Sequence, residues 1–335
     1  MSASFGGISY GSSSSSVFTR PSRSISSVTM RCVTVASPSE GPPLVTHAPR
    51  VAMAHVVTVA PEPFLACDGR ARVTCLPAAS DNLVWVLECV ATGHAAVVDG
   101  PPDPALLAAL DALDNTVVAV LNTHTHPDHI GVNRLFAEAG RLDALTVYGP
   151  AGAAAPIPGL DVPVDEGSQV RLGELVLDVW RTDGHQDGHV VYRTGDLLFC
   201  GDTLFAGGCG YLFDGPPAAM FRSLMRLAEL PGDTRVCCAH EYTVDNLRFA
   251  AFVEPENEAL VARLTDVLAR RERGECVVPS QMAEEQATNP FLRPGSPELI
   301  ARLAALDALD GDRSPGAVFA ATRALKNTGR HRTAE

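Results

Sequence analysis

Two hydrophobic periods run along the chain, and the change from one to the other divides it. From about residue 70, short apolar runs rich in β-branched residues recur at 73–76, 83–87 and 95–98, broken by Ser80-Asp81-Asn82 and by Gly93. Runs of that length between turn formers predict β-strands. Residues 104–113 then place Leu106, Leu107, Leu110 and Leu113 at helical spacing behind a proline, and 117–121 returns to a strand, a β-α-β rhythm. Further strands are predicted at 145–148, 175–181, 190–193 and 197–200. After Pro216 the period lengthens to that of an amphipathic helix, predicting helices over 218–230, 243–252, 256–273, 297–309 and 316–326. A sheet-rich α/β part is expected to precede an all-helical one, and no fixed-length repeat suggests a solenoid.

Ahead of residue 70 neither period is present. The first 39 residues contain no Asp or Glu, the first 30 hold 12 Ser, and Arg20, Arg23 and Arg31 are the only charges. Such text builds no core and has the composition of an organellar transit peptide; dominance of Ser over Arg favours a plastid over a mitochondrion. Without a leader function there, the protein would be cytoplasmic. Pro-rich residues 38–63 read as linker. The expected division is 1–67 transit peptide and disordered linker, 68–241 catalytic domain and 242–335 helical domain.

Composition narrows the class. With 335 residues, 46% hydrophobic and 19% charged, the chain has material for a large core and is neither a disordered protein nor a small disulfide scaffold. Its 26 Lys plus Arg against 39 Asp plus Glu leave a net charge of −13, which opposes a broad nucleic-acid or anionic-membrane surface. No apolar run reaches the roughly 18 residues of a membrane helix. Nine cysteines without C-x-x-C spacing suit buried free thiols in a reducing compartment. A monomer acting on a small molecule is expected.

The chemistry concentrates in Thr123-His124-Thr125-His126-Pro127-Asp128-His129, directly after a predicted strand. Residues two apart on extended backbone share a face, so His124 and His126 can reach one ion, while a turn at Pro127 can send Asp128 and His129 toward a second. Strand ends or turns supply three further candidates, His185, Asp202 and His240, each weak alone. Together they make five His and two Asp, an N/O donor set suited to zinc, iron or manganese. Two divalent ions about 3.5–4 Å apart would share a water whose pKa falls from roughly 15.7 toward 7. Hydroxide is then the expected nucleophile. A thioester suits such a site, because a thiolate of pKa about 8.5 departs without an obligatory general acid.

This set resembles the metallo-β-lactamase superfamily, with its H-x-H-x-D-H loop followed by a distant His, an Asp and a last His. Within it the text is most similar to glyoxalase II, the hydroxyacylglutathione hydrolases. Phe199-Cys200-Gly201-Asp202-Thr203-Leu204-Phe205, Gly208-Cys209-Gly210, His240-Glu241-Tyr242-Thr243 and Asn289-Pro290-Phe291-Leu292-Arg293 all carry the likeness, which runs from about Val73 to Lys326. The resemblance implies an αβ/βα sandwich followed by a small helical domain at the metal mouth. It implies two metals, drawn from Zn, Fe and Mn: His124, His126 and His185 on one, Asp128, His129 and His240 on the other, Asp202 bridging, with a metal-bridging hydroxide held by Asp202, Asp128 and His129 as the nucleophile. Asp99 would prop the ligand loop or only cap its strand, and His189 would lie beside the site without ligating. The activity implied is hydrolysis of S-D-lactoylglutathione to D-lactate and glutathione, the second step of methylglyoxal removal.

For glutathione, the resemblance implies contacts from Tyr242 and from an R-x-x-K pair, here Arg323 and Lys326, whose spacing puts both on one helix face. A helix C-terminus favours such cations in any case. After Gly210 the family usually carries Lys or Arg, whereas this chain has Tyr211, followed by Phe213 at a position that alternates between Tyr and Phe. Asp183 and Gln186, flanking His185, also depart from the family. The alternative activity is that of the mononuclear-iron glutathione persulfide dioxygenases, which share the histidine loop but lack the extended helical domain.

Overall fold

In the computed structural model the described residues are 55–153, 155–309 and 311–333. The expected transit peptide lies outside them. A first sheet runs in sequence order through β1 (Phe64–Ala66), β2 (Ala71–Ala78), β3 (Asn82–Cys89), β4 (His94–Val98), β5 (Thr116–Leu121), β6 (Thr146–Pro150) and β7 (Leu160–Val164). Its first four strands are antiparallel and β4 to β7 are parallel. The second sheet comprises β8 (Gln169–Leu172), β9 (Leu175–Arg181), β10 (Val190–Thr194), β11 (Leu197–Gly201), β14 (Arg235–Cys238) and β15 (Ser280–Gln281), in the order β15-β14-β11-β10-β9-β8. A short hairpin, β12 (Leu204–Phe205) and β13 (Gly208–Cys209), stands apart.

The strand pattern explains the layering. Every residue of β3 is buried, so both of its faces are covered. Leu83, Trp85 and Leu87 enter the main core with Leu177, Val179, Val190, Tyr192 and Phe199 of the second sheet. Val84 and Val86 enter a second cluster with Leu106 and Leu110 of α1 (Ala105–Asp111) and Val132, Leu135 and Phe136 of α2 (Gly131–Glu138). α3 (Pro217–Leu227) adds Met220, Leu224 and Leu227 to the main core, completing the αβ/βα sandwich. Beyond β14 follow α4 (Thr243–Val253), α5 (Glu258–Glu272), α6 (Met282–Thr288), α7 (Pro297–Ala305) and α8 (Pro315–Asn327). Phe249 stacks on Phe291, which meets Phe319 edge-on, and all three belong to the same core.

Two expectations need correction. The stretch before residue 67 is not linker throughout: the Val56 amide donates to Ser80, those of Thr58 and Val59 donate to Gly274, Val57 is buried, and Phe64–Ala66 form a strand. The C-terminal part is not wholly helical either, because Ser280–Gln281 pairs with β14 and gives the second sheet its edge. The eight described cysteines are free and buried, and no described helix is long and apolar enough to cross a membrane.

Candidate metal centre and adjoining cleft

Five chain segments meet at one end of the sandwich, beyond the carboxyl ends of β4, β5, β11 and β14, where α/β folds place ligands. Asp99 follows β4, residues 122–130 follow β5, Asp202 follows β11 and His240 follows β14, while His185 lies in the turn joining β9 to β10. The loop after β5 is fixed at its root by Asn122, whose amide donates to Asn133 Oδ1 at 3.1 Å and accepts from Asn133 Nδ2 at 2.8 Å.

The seven residues expected to ligate come together as two sets. One ligand atom each from His124, His126, His185 and Asp202 lies within 4.8 Å of all the others, and the same holds for Asp128, His129 and His240. Asp202 faces both sets: Oδ2 is 3.4 Å from His185 Nε2, and Oδ1 is 3.4 Å from His129 Nε2 and 3.5 Å from His240 Nε2. A third cluster, Asp99 with His124 and His129, is already satisfied internally. The Asp99 carboxylate accepts from the Thr123 amide at 2.8 Å, the Thr123 hydroxyl at 2.7 Å and His129 Nδ1 at 3.0 Å.

Metal cations fit this donor set. His129 Nε2 and Asp202 Oδ1, which face each other, are buried polar atoms without a hydrogen-bond partner, a costly state unless a cation satisfies them. Burial drives His124 well below the usual imidazole range and lowers His126 and His185, favouring the neutral rings that ligate. Burial opposes charge on His129 and His240 as well, yet the surrounding carboxylates together outweigh it, Asp202 with Asp99 at His129 and Asp202 with Asp128 and Asp81 at His240, and raise both, His240 to about 9. Burial likewise works to raise Asp128 and Asp202, but His240 and His129 hold both well below the carboxylate range. Both carboxylates therefore draw positive charge to the point where the two sets meet.

The supports around the ligands were only partly expected. His240 Nδ1 donates to Asp81 Oδ1 at 2.8 Å, and Asn82 Nδ2 donates to Asp128 Oδ2 at 3.1 Å, so the apparent turn before β3 holds two ligands. His185 Nδ1 donates to the Tyr211 carbonyl at 2.7 Å, aiming Nε2 into the site. His189 is fully buried and accepts the Asp202 amide at 3.2 Å on Nε2, and its Nδ1 meets Thr182 and Thr203 hydroxyls. It shapes the Asp202 turn and belongs to neither ligand set. Gln186 Oε1 accepts from the Thr125 amide and hydroxyl at 2.9 and 2.8 Å, and Asp183 pairs with Arg181. Gly201 has φ +48°, and a Cβ there would stand 2.4 Å from Thr123 Oγ1. At Gly210 a Cβ would stand 2.0 Å from the Asp202 carbonyl.

Beside the ligands opens a cleft of about 340 Å³ lined by Phe205, Cys209, Tyr211, Tyr242, Asp245, Asn246, Arg323, Lys326 and Arg332. Tyr242 connects the two features: its ring stacks on His240 at 4.8 Å and meets Phe205 edge-on at 5.3 Å. Phe213 lies edge-on to His126 and His185 at 5.0 and 5.3 Å and touches Tyr211, forming an exposed aromatic wall. Lys326 reaches Asp245 at 3.1 Å, and burial brings its pKa down to about 8. Arg323 is turned inward: its guanidinium donates to the Cys209 carbonyl at 3.0 Å and to Asn327 Oδ1 at 2.6 and 2.9 Å.

The helical part fastens this architecture. Asn246 Nδ2 donates to the Ala206 carbonyl, Asn289 Nδ2 donates to Gly208, and Glu285 accepts the Gly207 amide, so three side chains pin the β12–β13 hairpin. Glu285 is itself fully buried against Arg263.

Comparison with known proteins agrees with this division of labour. Residues 80–240 match the model of the metallo-beta-lactamase superfamily, and residues 241–329 match that of the hydroxyacylglutathione hydrolase C-terminus. A hydroxyacylglutathione hydrolase of Methylococcus capsulatus is 47% identical over 230 residues, covering 68% of this chain and 89% of that protein. Another, from Crocosphaera subtropica, is 41% identical over 260 residues, covering 75% of this chain and 97% of its own. Among solved structures, ETHE1 from Myxococcus xanthus aligns with 25% identity and a TM-score of 0.49, over 80% of this chain and 98% of its own. With both parts matched in order, and relatives 41% and 47% identical over most of their own length, the protein belongs to the hydroxyacylglutathione hydrolase family of the metallo-beta-lactamase superfamily.

Proposed function

We propose that the protein is a dinuclear metallohydrolase that cleaves S-D-lactoylglutathione, or a related 2-hydroxyacyl glutathione thioester, to the hydroxy acid and glutathione. The observation that carries this reading is a shared wall: Tyr242 stacks on His240 and also lines the cationic cleft, so a donor set for metal adjoins a pocket for an anionic thiol. His124, His126 and His185 would hold one cation, Asp128, His129 and His240 the other, with Asp202 between. Divalent ions bound there would acidify water and polarise a carbonyl, as such ions do in other hydrolases.

The remaining work falls to the chain. Asp99, Asp81 and the Tyr211 carbonyl fix the ring orientations of His129, His240 and His185, so no reorganisation is required when substrate arrives. Phe213, backed by Tyr211, would flank the substrate on the His126–His185 side. Tyr242 and Lys326 would hold the thiol half, and buried Arg323 would set the Cys209–Gly210 backbone that forms the cleft floor. No acid beside the leaving group is required, since the glutathione thiolate departs unprotonated at a pKa of about 8.5. On the composition of residues 1–39 we place the protein in an organelle, a plastid before a mitochondrion, and as a monomer.

The test is thiol release from S-D-lactoylglutathione by the full chain, with metal content measured on the same sample and His126→Ala as control. Release that vanishes in the control, with close to two metals per chain, is the expected result. No release, one iron per chain and oxygen uptake on glutathione persulfide would overturn the reading in favour of a dioxygenase.

A further inference from the structure

The cleft carries a cation on a segment that the ligand chemistry does not need. After α8, Gly329 (φ +69°) reverses the chain into a single turn, Arg330–Arg332, that folds back onto α4. His331 ties this turn down: its side chain is 1% exposed, its ring meets Phe249 edge-on at 5.3 Å, and its Nε2 lies 3.2 Å from Asp245 Oδ1. The next residue, Arg332, is thereby carried to the mouth of the cleft.

The three cations lining the cleft differ in what they can offer. Arg323 is 6% exposed and committed to Cys209 and Asn327. The Lys326 side chain is 8% exposed. That of Arg332 is 65% exposed, and it holds Asp245 through Nε at 2.8 Å and one terminal nitrogen at 3.1 Å, leaving part of the guanidinium fork for another acceptor. Asp245 is the single acid of that lining, so Arg323, Lys326 and Arg332 leave the cleft net positive in a chain of net charge −13. A local reversal of that kind attracts an anion the rest of the surface repels.

We infer that Arg332, anchored at the cleft mouth by His331, determines specificity for a carboxylate on the thiol half of the substrate, and that Asp245 holds the guanidinium in place and shares it with the incoming carboxylate. This rests on the thioesterase reading above. Arg332 acts in binding and touches no reacting atom.

The experiment compares the lactoyl thioester of glutathione with the same thioester esterified at both glutathione carboxyls, using the metal-loaded full chain. Arg332→Gln is expected to raise KM for the free acid about 2- to 5-fold, as for a partly exposed ion pair, with kcat unchanged. KM for the diester should not move, Arg332→Lys should recover part of the loss, and added salt should shrink the difference. An equal change for both substrates, or none for either, would overturn the inference. If the wild type cleaves no thioester, calorimetry with S-methylglutathione and its diester still decides. Affinity for the free acid should then fall with Arg332→Gln and that for the diester should not; equal or absent changes would refute the role of Arg332 separately from the thioesterase reading.

Discussion

Replacing Asp99 by Asn asks whether this residue orients a ligand or merely ends a strand. Asp99 Oδ1 accepts the Thr123 amide at 2.8 Å, and an asparagine oxygen keeps that bond. The amide nitrogen, however, would take the place of Oδ2, which accepts from the Thr123 hydroxyl at 2.7 Å and from His129 Nδ1 at 3.0 Å. The hydroxyl can rotate and accept instead. The imidazole can adapt only by moving its proton from Nδ1 to Nε2, the atom that otherwise faces Asp202 and Asp128 without a partner. A ring protonated there does not ligate. The expected cost at the Asp128–His129–His240 set is about 10- to 100-fold in metal affinity, or ~1.4–2.7 kcal/mol. Metal-free protein should lose about 1.5–3 kcal/mol of folding stability, the worth of one hydrogen bond to a charged group. Chelator competition with metal analysis measures the first and urea unfolding the second. Asp99→Asn protein that binds metal within about twofold of wild type, while unfolding more easily, would refute the reasoning and leave Asp99 a strand cap.

Asp81→Ala removes the acceptor of His240 Nδ1, but the Asp81 side chain is 26% exposed and water can substitute, so metal affinity should fall by only about 3- to 10-fold by the same chelator titration. Lys326 has its pKa brought down to about 8, first by burial, and is charged below that value. Affinity for S-methylglutathione should therefore decline as pH rises through about 8, and Lys326→Arg should flatten that decline; calorimetry across pH 7 to 10 decides, and a rise in affinity would refute the assignment. Arg263→Met leaves Glu285 buried without its counter-ion, at a cost of about 3–5 kcal/mol by urea unfolding; a loss under about 1 kcal/mol would mean the pair contributes little to holding the hairpin.

The histidine loop was legible as a candidate metal site because its chemistry is carried by residue type and spacing: histidines two apart on extended backbone share a face. Its supports were not, because they use residues that also make turns. Ser80-Asp81-Asn82 reads as a break between strands, and it is one, yet the same short polar side chains reach back to His240 and Asp128. Gln186 reads as a departure beside a ligand, whereas its amide oxygen closes the Thr125 end of the loop. The spacing of Arg323 and Lys326 puts both on one helix face, and both line the cleft, but periodicity is silent on the Cys209 carbonyl that claims the guanidinium. Short elements escaped for a related reason. α2 and α6 have eight and seven residues and lack the leucine series that marks the equally short α1, and β15 has two. The segment from His55 was read as linker because it attaches through backbone amides and carbonyls, which any side chain permits.

One feature of the topology bears on how the protein could be divided. The superfamily match ends at residue 240 and the C-terminal match begins at 241, so the seam between modules runs through the metal centre. A chain cut there would keep all seven candidate ligands in its sequence. It would lose β15, the strand that closes the edge of the second sheet beside β14, and would bare a row of backbone groups next to the apolar residues Val236, Cys237 and Cys238. Unpaired edges of that kind recruit other chains. The C-terminal segment thus covers a sheet edge of the part that carries the candidate ligands, and a cut at the seam would expose that edge.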